Sequence, residues 1–286
     1  MSALPPVAVT GSTGHVGALV ARHLADRGVP QRLLARDPGR VPDLAGGVAL
    51  PMSYADTDAA RAALVGAKVL FMVSAAEAAD RLEQHRTFID AAAAAGVEHV
   101  VYTSFLGAAA DCTFTLGRDH FATEQHVRDT GMAWTFLRDN FYLDVLPYFV
   151  GEDGVLRGPA GDGRVSAVAR ADVARVALEV LLDPEAHRGA TYDLTGPESL
   201  TLTEVAETIS AVTGRTVRFH DETVEEAYAS RLRWPAEQWQ YDAWVSTYLA
   251  IARGEVAGVS EDVAALTGVP PTGLADLLRA RQEGTR

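Results

Sequence analysis

The sequence predicts an α/β protein built on a doubly wound parallel sheet, and three observations lead to this prediction. The chain has 286 residues, of which 48% are hydrophobic, so a sizeable core is expected. Short apolar runs alternate along the chain with segments of helical periodicity. The run at residues 69–73, V-L-F-M-V, is apolar throughout, as in a strand buried on both faces of a parallel sheet. Short connections between such elements predict right-handed crossovers.

The predicted elements follow this alternation in order. Strands are predicted at residues 7–9, 31–36, 48–52, 69–73, 97–104, 133–137, 165–169 and 191–194. Helices are predicted at residues 16–27, 59–64, 81–95, 116–130, 171–182, 201–213, 222–232, 235–253, 260–267 and 274–281. Residues 150–163 are rich in Gly, Asp and Pro and indicate a loop with a hairpin.

A glycine-rich turn follows the first strand. Gly11, Gly14 and Gly17 are spaced by three residues, and the first helix opens inside the cluster. Strand, glycine turn and helix are the context of a dinucleotide fingerprint, because the glycines permit a tight turn, a close pyrophosphate and helix packing. The helix N-terminus adds free N–H groups. The alternative is a glycine turn that binds no ligand. The residues expected to contact the cofactor are Gly11, Ser12, Thr13, Gly14, His15, Val16 and Gly17.

The end of the second strand bears on the choice of coenzyme. In a dinucleotide-binding fold an acidic residue there binds the ribose 2′-hydroxyl, whereas an arginine suits a 2′-phosphate. Arg36 comes first and Asp37 second, so NADP(H) is favoured over NAD(H). The alternative is that Arg36 is solvated and Asp37 binds the ribose. Ser74 and Ala75 end the fourth strand, and such small residues let a cofactor lie across the strand ends.

The sixth strand leads into Asn140, Phe141 and Tyr142. This segment leaves the strand at its carboxyl end, where ligands bind in such sheets. An amide with two aromatic rings suits a pocket for a flat organic molecule, although the rings also suit simple core packing. We expect residues 1–150, with 165–195 returning to them, to form the dinucleotide-binding Rossmann domain. Residues 196–286 form a smaller, mostly helical substrate lobe in this prediction.

Composition excludes several classes of function. The formal net charge of −13 disfavours nucleic acids and anionic membranes as partners. The single cysteine, Cys112, excludes an internal disulfide and a cysteine-based metal cluster, and no metal site is expected. No signal peptide or apolar run of membrane-spanning length is visible, which predicts a cytoplasmic protein.

Seven segments in order resemble the NmrA-like group of atypical short-chain dehydrogenase/reductases, near the NADPH-dependent quinone oxidoreductases. They are V-T-G-S-T-G-H-V-G, A-R-D-P, H-V-V-Y-T-S, L-G-R-D-H-F-A-T-E-Q, T-F-L-R-D-N-F-Y, V-S-A-V-A-R-A-D-V-A and L-T-G-V-P-P-T. The resemblance implies NADP(H) along the glycine turn and Arg36, with an aromatic small molecule as substrate and a homodimer allowed. It adds Val73, Ser74, Ala75, Thr103 and Ser104 to the cofactor residues, and it implies substrate contacts from Phe105, Asn140, Phe141 and Tyr142.

The helix after the fifth strand departs from the wider superfamily. Its members carry Tyr-x-x-x-Lys there, but the matching positions in this chain are Phe121 and Gln125. Phenylalanine donates no proton, whereas Gln125 still offers a hydrogen bond to the ribose or amide of the cofactor. His120 is the nearest titratable substitute as proton donor, with Glu124 one turn away expected to raise its pKa. The alternative is a packing or surface histidine, and Tyr142 is the second candidate donor.

Three functions are consistent with this sequence. The first is an NADPH-dependent reductase of quinone-like or other conjugated aromatic substrates, in which cofactor placement supplies most of the catalysis. The second is a non-catalytic regulator that senses NAD(P), since such a protein tolerates loss of the tyrosine and lysine. The third is cofactor-dependent oxygenation or tailoring of an aromatic natural product, which only the aromatic residues between Trp234 and Tyr248 encourage.

Overall fold

The structure is a computed structural model that describes residues 4–284. Its first elements are β1 (Val7–Val9), α1 (His15–Asp26), β2 (Gln31–Ala35), β3 (Gly47–Pro51), α2 (Thr57–Leu64), β4 (Val69–Met72), α3 (Arg81–Ala94), β5 (His99–Phe105), α4 (Thr115–Asp129) and β6 (Ala133–Asp139). The following elements are β7 (Val155–Gly158), β8 (Arg164–Val165), α5 (Arg170–Leu182), β9 (Ala190–Leu194), β10 (Leu200–Thr201), α6 (Leu202–Thr213), β11 (Arg218–Asp221), α7 (Val224–Arg231), α8 (Gln238–Ala252), α9 (Asp262–Thr267) and α10 (Leu274–Gly284).

The central sheet has seven strands in the order β3-β2-β1-β4-β5-β6-β9. Strand β1 runs parallel to β2 and β4, while β2 pairs in parallel with β3 and β4 with β5. The order of strands reverses between β1 and β4, and ligands of such sheets bind outside the carboxyl ends of the strands at this point. The doubly wound α/β fold predicted from the sequence is confirmed.

Continuous burial of the central strands explains the apolar runs in the sequence. All of β1 is buried, and Leu70, Phe71 and Met72 of β4 have no exposed surface. These strands pack with α2, α3 and α4 into one apolar cluster that includes Phe88 and Phe136. At about 25 cal/mol per Å² of apolar surface removed from water, each fully buried aromatic ring stabilises the fold by a few kcal/mol.

Local signals placed several helix ends correctly. Helix α6, predicted to begin at residue 201, begins with a capping box, in which the Thr201 hydroxyl accepts from the Glu204 N–H at 3.1 Å. The Glu204 carboxylate in turn accepts from the Thr201 N–H at 2.8 Å. This reciprocal arrangement satisfies two N–H groups that otherwise lack a partner at a helix start.

The described chain divides into two compact units. The first contains residues 4–105, 119–138 and 173–192, and the second contains residues 106–118, 139–172 and 193–284. The predicted limits, 1–150 with 165–195 and then 196–286, instead group 106–118, 139–150, 165–172 and 193–195 with the first unit. Because a division by contacts does not say which segment binds which ligand, the predicted domain functions stay a prediction.

The second unit contains two small sheets that the sequence did not predict. Strand β7 pairs in parallel with β11, and β8 pairs antiparallel with β10. The hairpin expected at 150–163 is present only as an isolated antiparallel bridge between Val150 and Leu156. The predicted hairpin is therefore present in a short form, in which the Gly151 N–H donates to the Val155 carbonyl at 3.0 Å. The sequence did not predict that β7 also pairs with a strand about 60 residues further along the chain.

Among residues 4–284, no helix combines the length and the apolar character needed to cross a bilayer.

Candidate functional site

The glycine turn connects β1 to α1, at the point where the strand order of the sheet reverses. Gly11 has a φ of 63°, a conformation that other residues rarely adopt, and its carbonyl accepts from the Gly14 N–H at 2.8 Å. A Cβ atom on Gly17 would lie 2.4 Å from the Gly11 oxygen and 2.5 Å from the Thr10 oxygen. The turn and the first turn of α1 therefore pack backbone against backbone.

The start of α1 is open to a ligand. Thr13, Gly14 and His15 are exposed, whereas Val16 is buried. Gly14 caps the helix without any side-chain hydrogen bond, and no acidic residue lies in the first turn. A helix start with uncapped N–H groups and no competing carboxylate favours an anion such as a pyrophosphate. The glycine cradle thus fits the dinucleotide expected from the sequence.

Ser12 differs from its neighbours in this turn. Its side chain is fully buried, and its hydroxyl donates to the Leu34 carbonyl at 3.2 Å. The hydroxyl thereby ties the turn to β2. Any contact of Ser12 with a cofactor is expected to come from its backbone.

Arg36 follows β2 and is exposed, as is Asp37. The Asp37 carboxylate accepts from the Gly39 N–H at 3.0 Å and caps the short helix Pro38–Arg40. An aspartate engaged in this cap is less available to a ribose hydroxyl, whereas the guanidinium beside it extends into solvent. This geometry supports the choice of Arg36 as the 2′-phosphate ligand.

Side chains hold the backbone just beyond β4. The Val73 N–H donates to the Thr10 hydroxyl at 2.8 Å, and the Val73 carbonyl accepts from the Tyr54 hydroxyl at 2.5 Å. The next N–H, of Ser74, donates to the Thr103 hydroxyl at 2.8 Å. Thr103 therefore supports this segment from β5. We call residues 73–75 the β4 exit segment.

The third residue of the β4 exit segment is held from α3. The Ala75 N–H donates to Nε2 of His85 at 2.8 Å, and the Ala75 carbonyl accepts from Nε of Arg81 at 2.9 Å. Because Nε2 of His85 accepts, its Nδ1 carries the hydrogen, which bonds the Thr123 hydroxyl at 2.8 Å. Val73, Ser74 and Ala75 stay partly exposed, so the segment presents a fixed surface at the reversal of strand order.

Ser104 and Phe105 end β5 as buried residues. The Ser104 hydroxyl donates to Oε1 of Glu124 at 2.6 Å, and Arg138 donates to both carboxylate oxygens of Glu124 at 2.8 Å. Glu124 has no exposed surface. This two-pronged ion pair locks α4 against β5 and β6. The Phe105 ring lies 6.1 Å from the imidazole of His120.

His120 lies inside a buried hydrogen-bond network. Nη2 of Arg81 donates to its Nε2 at 3.0 Å, and a guanidinium can only donate. Nδ1 of His120 therefore carries the hydrogen and donates to the Tyr102 hydroxyl at 2.9 Å. Both ring nitrogens are engaged by protein groups, and only 7% of the residue is exposed.

The expected effect of Glu124 on His120 was wrong. Burial, and after it the nearby charge of Arg81 and then His85, lowers the pKa of His120 well below its usual value. Glu124 instead forms its ion pair with Arg138, so its charge is compensated there. His120 is therefore neutral at physiological pH, and its role as a proton donor stays a prediction that this geometry does not favour. Phe121 and Gln125 lie beside it on α4, half-buried.

The segment after β6 belongs to the second unit. Asn140 is 2% exposed, and its amide group donates to the Ser166 hydroxyl and the Val256 carbonyl, each at 2.9 Å. Its carbonyl oxygen accepts from the Phe141 N–H at 2.7 Å. The side chain thus ties three segments together, and direct contact with a substrate stays a prediction. The half-buried Phe141 ring packs edge-on against Phe114 at 5.2 Å.

Tyr142 is half-buried and contacts a buried carboxyl. Its hydroxyl bonds Oδ2 of Asp139 at 2.7 Å, and the guanidinium carbon of Arg170 lies 4.9 Å from its ring centre. Burial raises the pKa of Asp139 to about 8, against a smaller lowering by the Tyr142 hydroxyl. Burial, followed by the charge of Asp139, raises the pKa of Tyr142 well above its usual value.

Sequence reasoning missed Arg81, His85 and Asp139. Arg81 and His85 are four residues apart at the start of α3, so they share one face of this helix. That spacing directly after the β4 exit segment was an available signal. Asp139 directly precedes Asn140, which the sequence analysis singled out, but nothing local indicated that its carboxyl is buried.

Strand order, the glycine turn at its reversal and the open start of α1 define a Rossmann-type α/β protein. The sequence pattern of the NmrA-like family matches residues 5–240. The chain belongs to the NmrA-like family, which confirms the resemblance stated from the motifs.

Three proteins similar to this chain are reductases or oxidoreductases by name. An NAD(P)H azoreductase of Xenophilus azovorans is 32% identical over 279 residues, which cover 96% of this chain and 97% of the relative. A (4-alkanoyl-5-oxo-2,5-dihydrofuran-3-yl)methyl phosphate reductase of Streptomyces griseus is 35% identical, with 92% and 93% covered. The crystal structure of an NADPH-dependent quinone oxidoreductase from Escherichia coli, complexed with NADPH, superposes with a TM-score of 0.87. Its identity is 29%, and 96% of this chain and 99% of that chain are covered.

Proposed function

We propose that this chain is an NADPH-dependent reductase of quinone-like or other conjugated aromatic molecules. The observation that carries the proposal is the glycine turn beside the open start of α1, at the reversal of strand order. The family relatives support it, because they are named for the reduction of an azo compound, a quinone and an oxo-dihydrofuran.

The residues of the first unit fit this coenzyme. The uncapped start of α1 offers N–H groups to the pyrophosphate, and the exposed Arg36 offers a guanidinium to the 2′-phosphate. The β4 exit segment presents a fixed backbone in the same region of strand ends. When bound, NADPH supplies the hydride of the reaction. The protein's part is to hold coenzyme and substrate in a reactive geometry.

The composition of α4 supports the substrate class. The usual tyrosine and lysine are replaced by Phe121 and Gln125, so α4 lacks the phenol that protonates a simple carbonyl. An electron-poor conjugated ring stabilises the anion that results from hydride addition, and therefore needs less help from a protein acid. We propose that such rings, with Phe105, Asn140, Phe141 and Tyr142 as contacts, are the substrates.

Oxidation of NADPH by the purified protein tests the proposal. We expect absorbance at the reduced-nicotinamide band to fall when menadione or an azo dye is added without oxygen, and to stay constant without an acceptor. NADH is expected to be a poorer donor. Tight binding of NADPH without reduction of any acceptor would contradict the proposal and favour a sensing function. Incorporation of oxygen into an aromatic substrate, seen by mass spectrometry, would favour the oxygenation hypothesis.

Arg36 is predicted to select the coenzyme. We expect Arg36→Ala to weaken NADPH binding about tenfold or more, about 1.4 kcal/mol, because a charge-assisted contact to the 2′-phosphate is lost. NADH binding is expected to stay within about twofold, since NADH lacks that phosphate. Titration calorimetry of both coenzymes measures the difference.

A matched control for this substitution is Arg22→Ala, which removes an exposed arginine from the middle of α1. We expect it to leave the affinities of both coenzymes unchanged. Equal losses of NADPH and NADH binding in Arg36→Ala would contradict the role of Arg36 in selecting the 2′-phosphate.

A further inference from the structure

A cluster of ionisable side chains surrounds the start of the segment after β6, in the second unit. Asp139 and Tyr142 share a hydrogen bond of 2.7 Å, and Arg170 lies over the tyrosine ring. Asp144 accepts from the Arg170 N–H at 2.8 Å and bonds Arg281 at 3.0 Å. None of these residues is among the expected cofactor contacts described above. The cluster joins a phenol to a buried carboxyl.

The environment of Asp139 favours a protonated carboxyl. The residue is 3% exposed, and among the described residues its Oδ1 atom has no hydrogen-bond partner. A buried carboxylate with one unpaired oxygen carries a high desolvation cost, and protonation relieves this cost. The group is therefore a store of one proton next to a tyrosine hydroxyl.

We propose that Tyr142 is the acid that protonates the reduced substrate and that Asp139 resupplies its proton. This inference rests on the proposed reductase function. When the carboxyl is protonated on Oδ2, it donates to the phenol oxygen. The phenol hydrogen is then free to turn toward a substrate oxygen or nitrogen.

One proton reaches the substrate in each turnover. Hydride transfer from NADPH leaves a quinone as a hydroquinone anion and the coenzyme as NADP⁺. The Tyr142 O–H bond breaks as a new O–H bond forms on the substrate. The carboxyl proton of Asp139 passes to the phenol oxygen of Tyr142, which leaves Asp139 ionised. Solvent water returns one proton to Asp139 before the next turnover.

Arg170 is a positioning residue in this arrangement. Its guanidinium stands 4.9 Å from the ring centre, where a cation stabilises negative charge that develops on the phenol. The charged groups that face Tyr142 are Asp139, Arg170 and Asp144, and Arg281 compensates Asp144. One cation thus stands close to the phenol. It is the counterpart of the lysine that helps the usual tyrosine of this superfamily.

The pH dependence of turnover tests this proton relay, which runs from Asp139 through Tyr142 to the substrate. Burial raises the pKa of Asp139 to about 8, so the carboxyl is protonated below that pH and loses its proton as pH rises through it. We expect kcat of the wild-type protein with menadione to fall as pH rises through about 8. Tyr142→Phe is expected to lower kcat by about 100-fold, within the range for loss of a general acid. Asp139→Asn is expected to lower kcat at least about tenfold and to remove the break near pH 8.

Two further measurements separate the relay from a merely structural role. Infrared difference spectra of the coenzyme-free protein are expected to show a carboxyl band that titrates near pH 8 and is missing in Asp139→Asn. The thermal midpoint and the NADPH affinity of each variant report whether it is folded. Asp153→Asn changes an exposed carboxylate of the same unit and is expected to leave the pH profile unchanged.

The outcomes distinguish failure of this inference from failure of the proposed reductase function. If the wild-type protein reduces no acceptor, the proposed function fails, whatever the spectra show. If the wild-type protein is active and folded Asp139→Asn keeps its kcat and its pH profile, only the relay is overturned. An unchanged kcat in folded Tyr142→Phe would also overturn it.

Discussion

Gly17→Ala is expected to weaken NADPH binding by at least about tenfold, which corresponds to about 1.4 kcal/mol. The added Cβ would lie within 2.5 Å of three backbone atoms of Thr10 and Gly11, and none of these is a flexible side chain that moves aside. Helix α1 must shift away from the turn, which displaces the N–H groups expected to bind the pyrophosphate. Titration calorimetry with NADPH measures the loss.

The effect of Gly17→Ala on stability is expected to combine two opposing contributions. Overpacking costs about 1–3 kcal/mol, and the better helix propensity of alanine offsets about 1 kcal/mol of this. Gly258→Ala is the matched control, because its Cβ meets nothing within 4 Å. An NADPH affinity of the wild-type value in Gly17→Ala would show that the coenzyme does not use this turn.

Removal of the Glu124 carboxylate is expected to give the largest loss of stability. Glu124→Ala leaves Arg138 without its two-pronged partner and Ser104 without its acceptor, in a site with no exposure at the glutamate. Breaking a buried ion pair from one side costs about 3–5 kcal/mol, and we expect a value near the lower end because part of the Arg138 side chain is exposed. Urea unfolding of the coenzyme-free protein measures the change in free energy.

An exposed ion pair of the same unit provides the comparison. Lys68 and Glu98 form a salt bridge in which both side chains are more than half exposed. Glu98→Ala is expected to cost at most about 1 kcal/mol, because solvent screens such pairs. Equal losses in Glu98→Ala and Glu124→Ala would show that the buried network does not hold α4 in place.

The fold was largely predictable because its signals are local. The apolar run at 69–73 predicted β4 to within one residue, and the glycine spacing placed the turn before α1. The small sheets of the second unit were not predictable, because β8 and β10 have two residues each and β7 pairs with a distant strand. Two residues carry no periodicity, and pairing over that separation depends on the finished tertiary structure.

Some features of the candidate site were also predictable from the sequence, and others were not. Backbone features of the coenzyme region, such as the turn and the small residues after β4, were visible in the sequence. The charge state of His120 was not, because it depends first on burial and then on Arg81 from α3, rather than on Glu124 one turn along α4. Helical spacing indicates which side chains share a face. The hydrogen-bond partners of Glu124, however, are Ser104 on β5 and Arg138 on β6, and helical spacing does not indicate them.

The β4 exit segment has an energetic consequence for ligand capture. Five side chains from four separate parts of the chain satisfy its peptide groups: Thr10, Tyr54, Arg81, His85 and Thr103. Ordering a loop of three residues costs about 1–2 kcal/mol per residue in backbone entropy. Here that cost is incurred when the chain folds, so an arriving coenzyme meets a surface already shaped for it and retains more of its interaction energy as affinity.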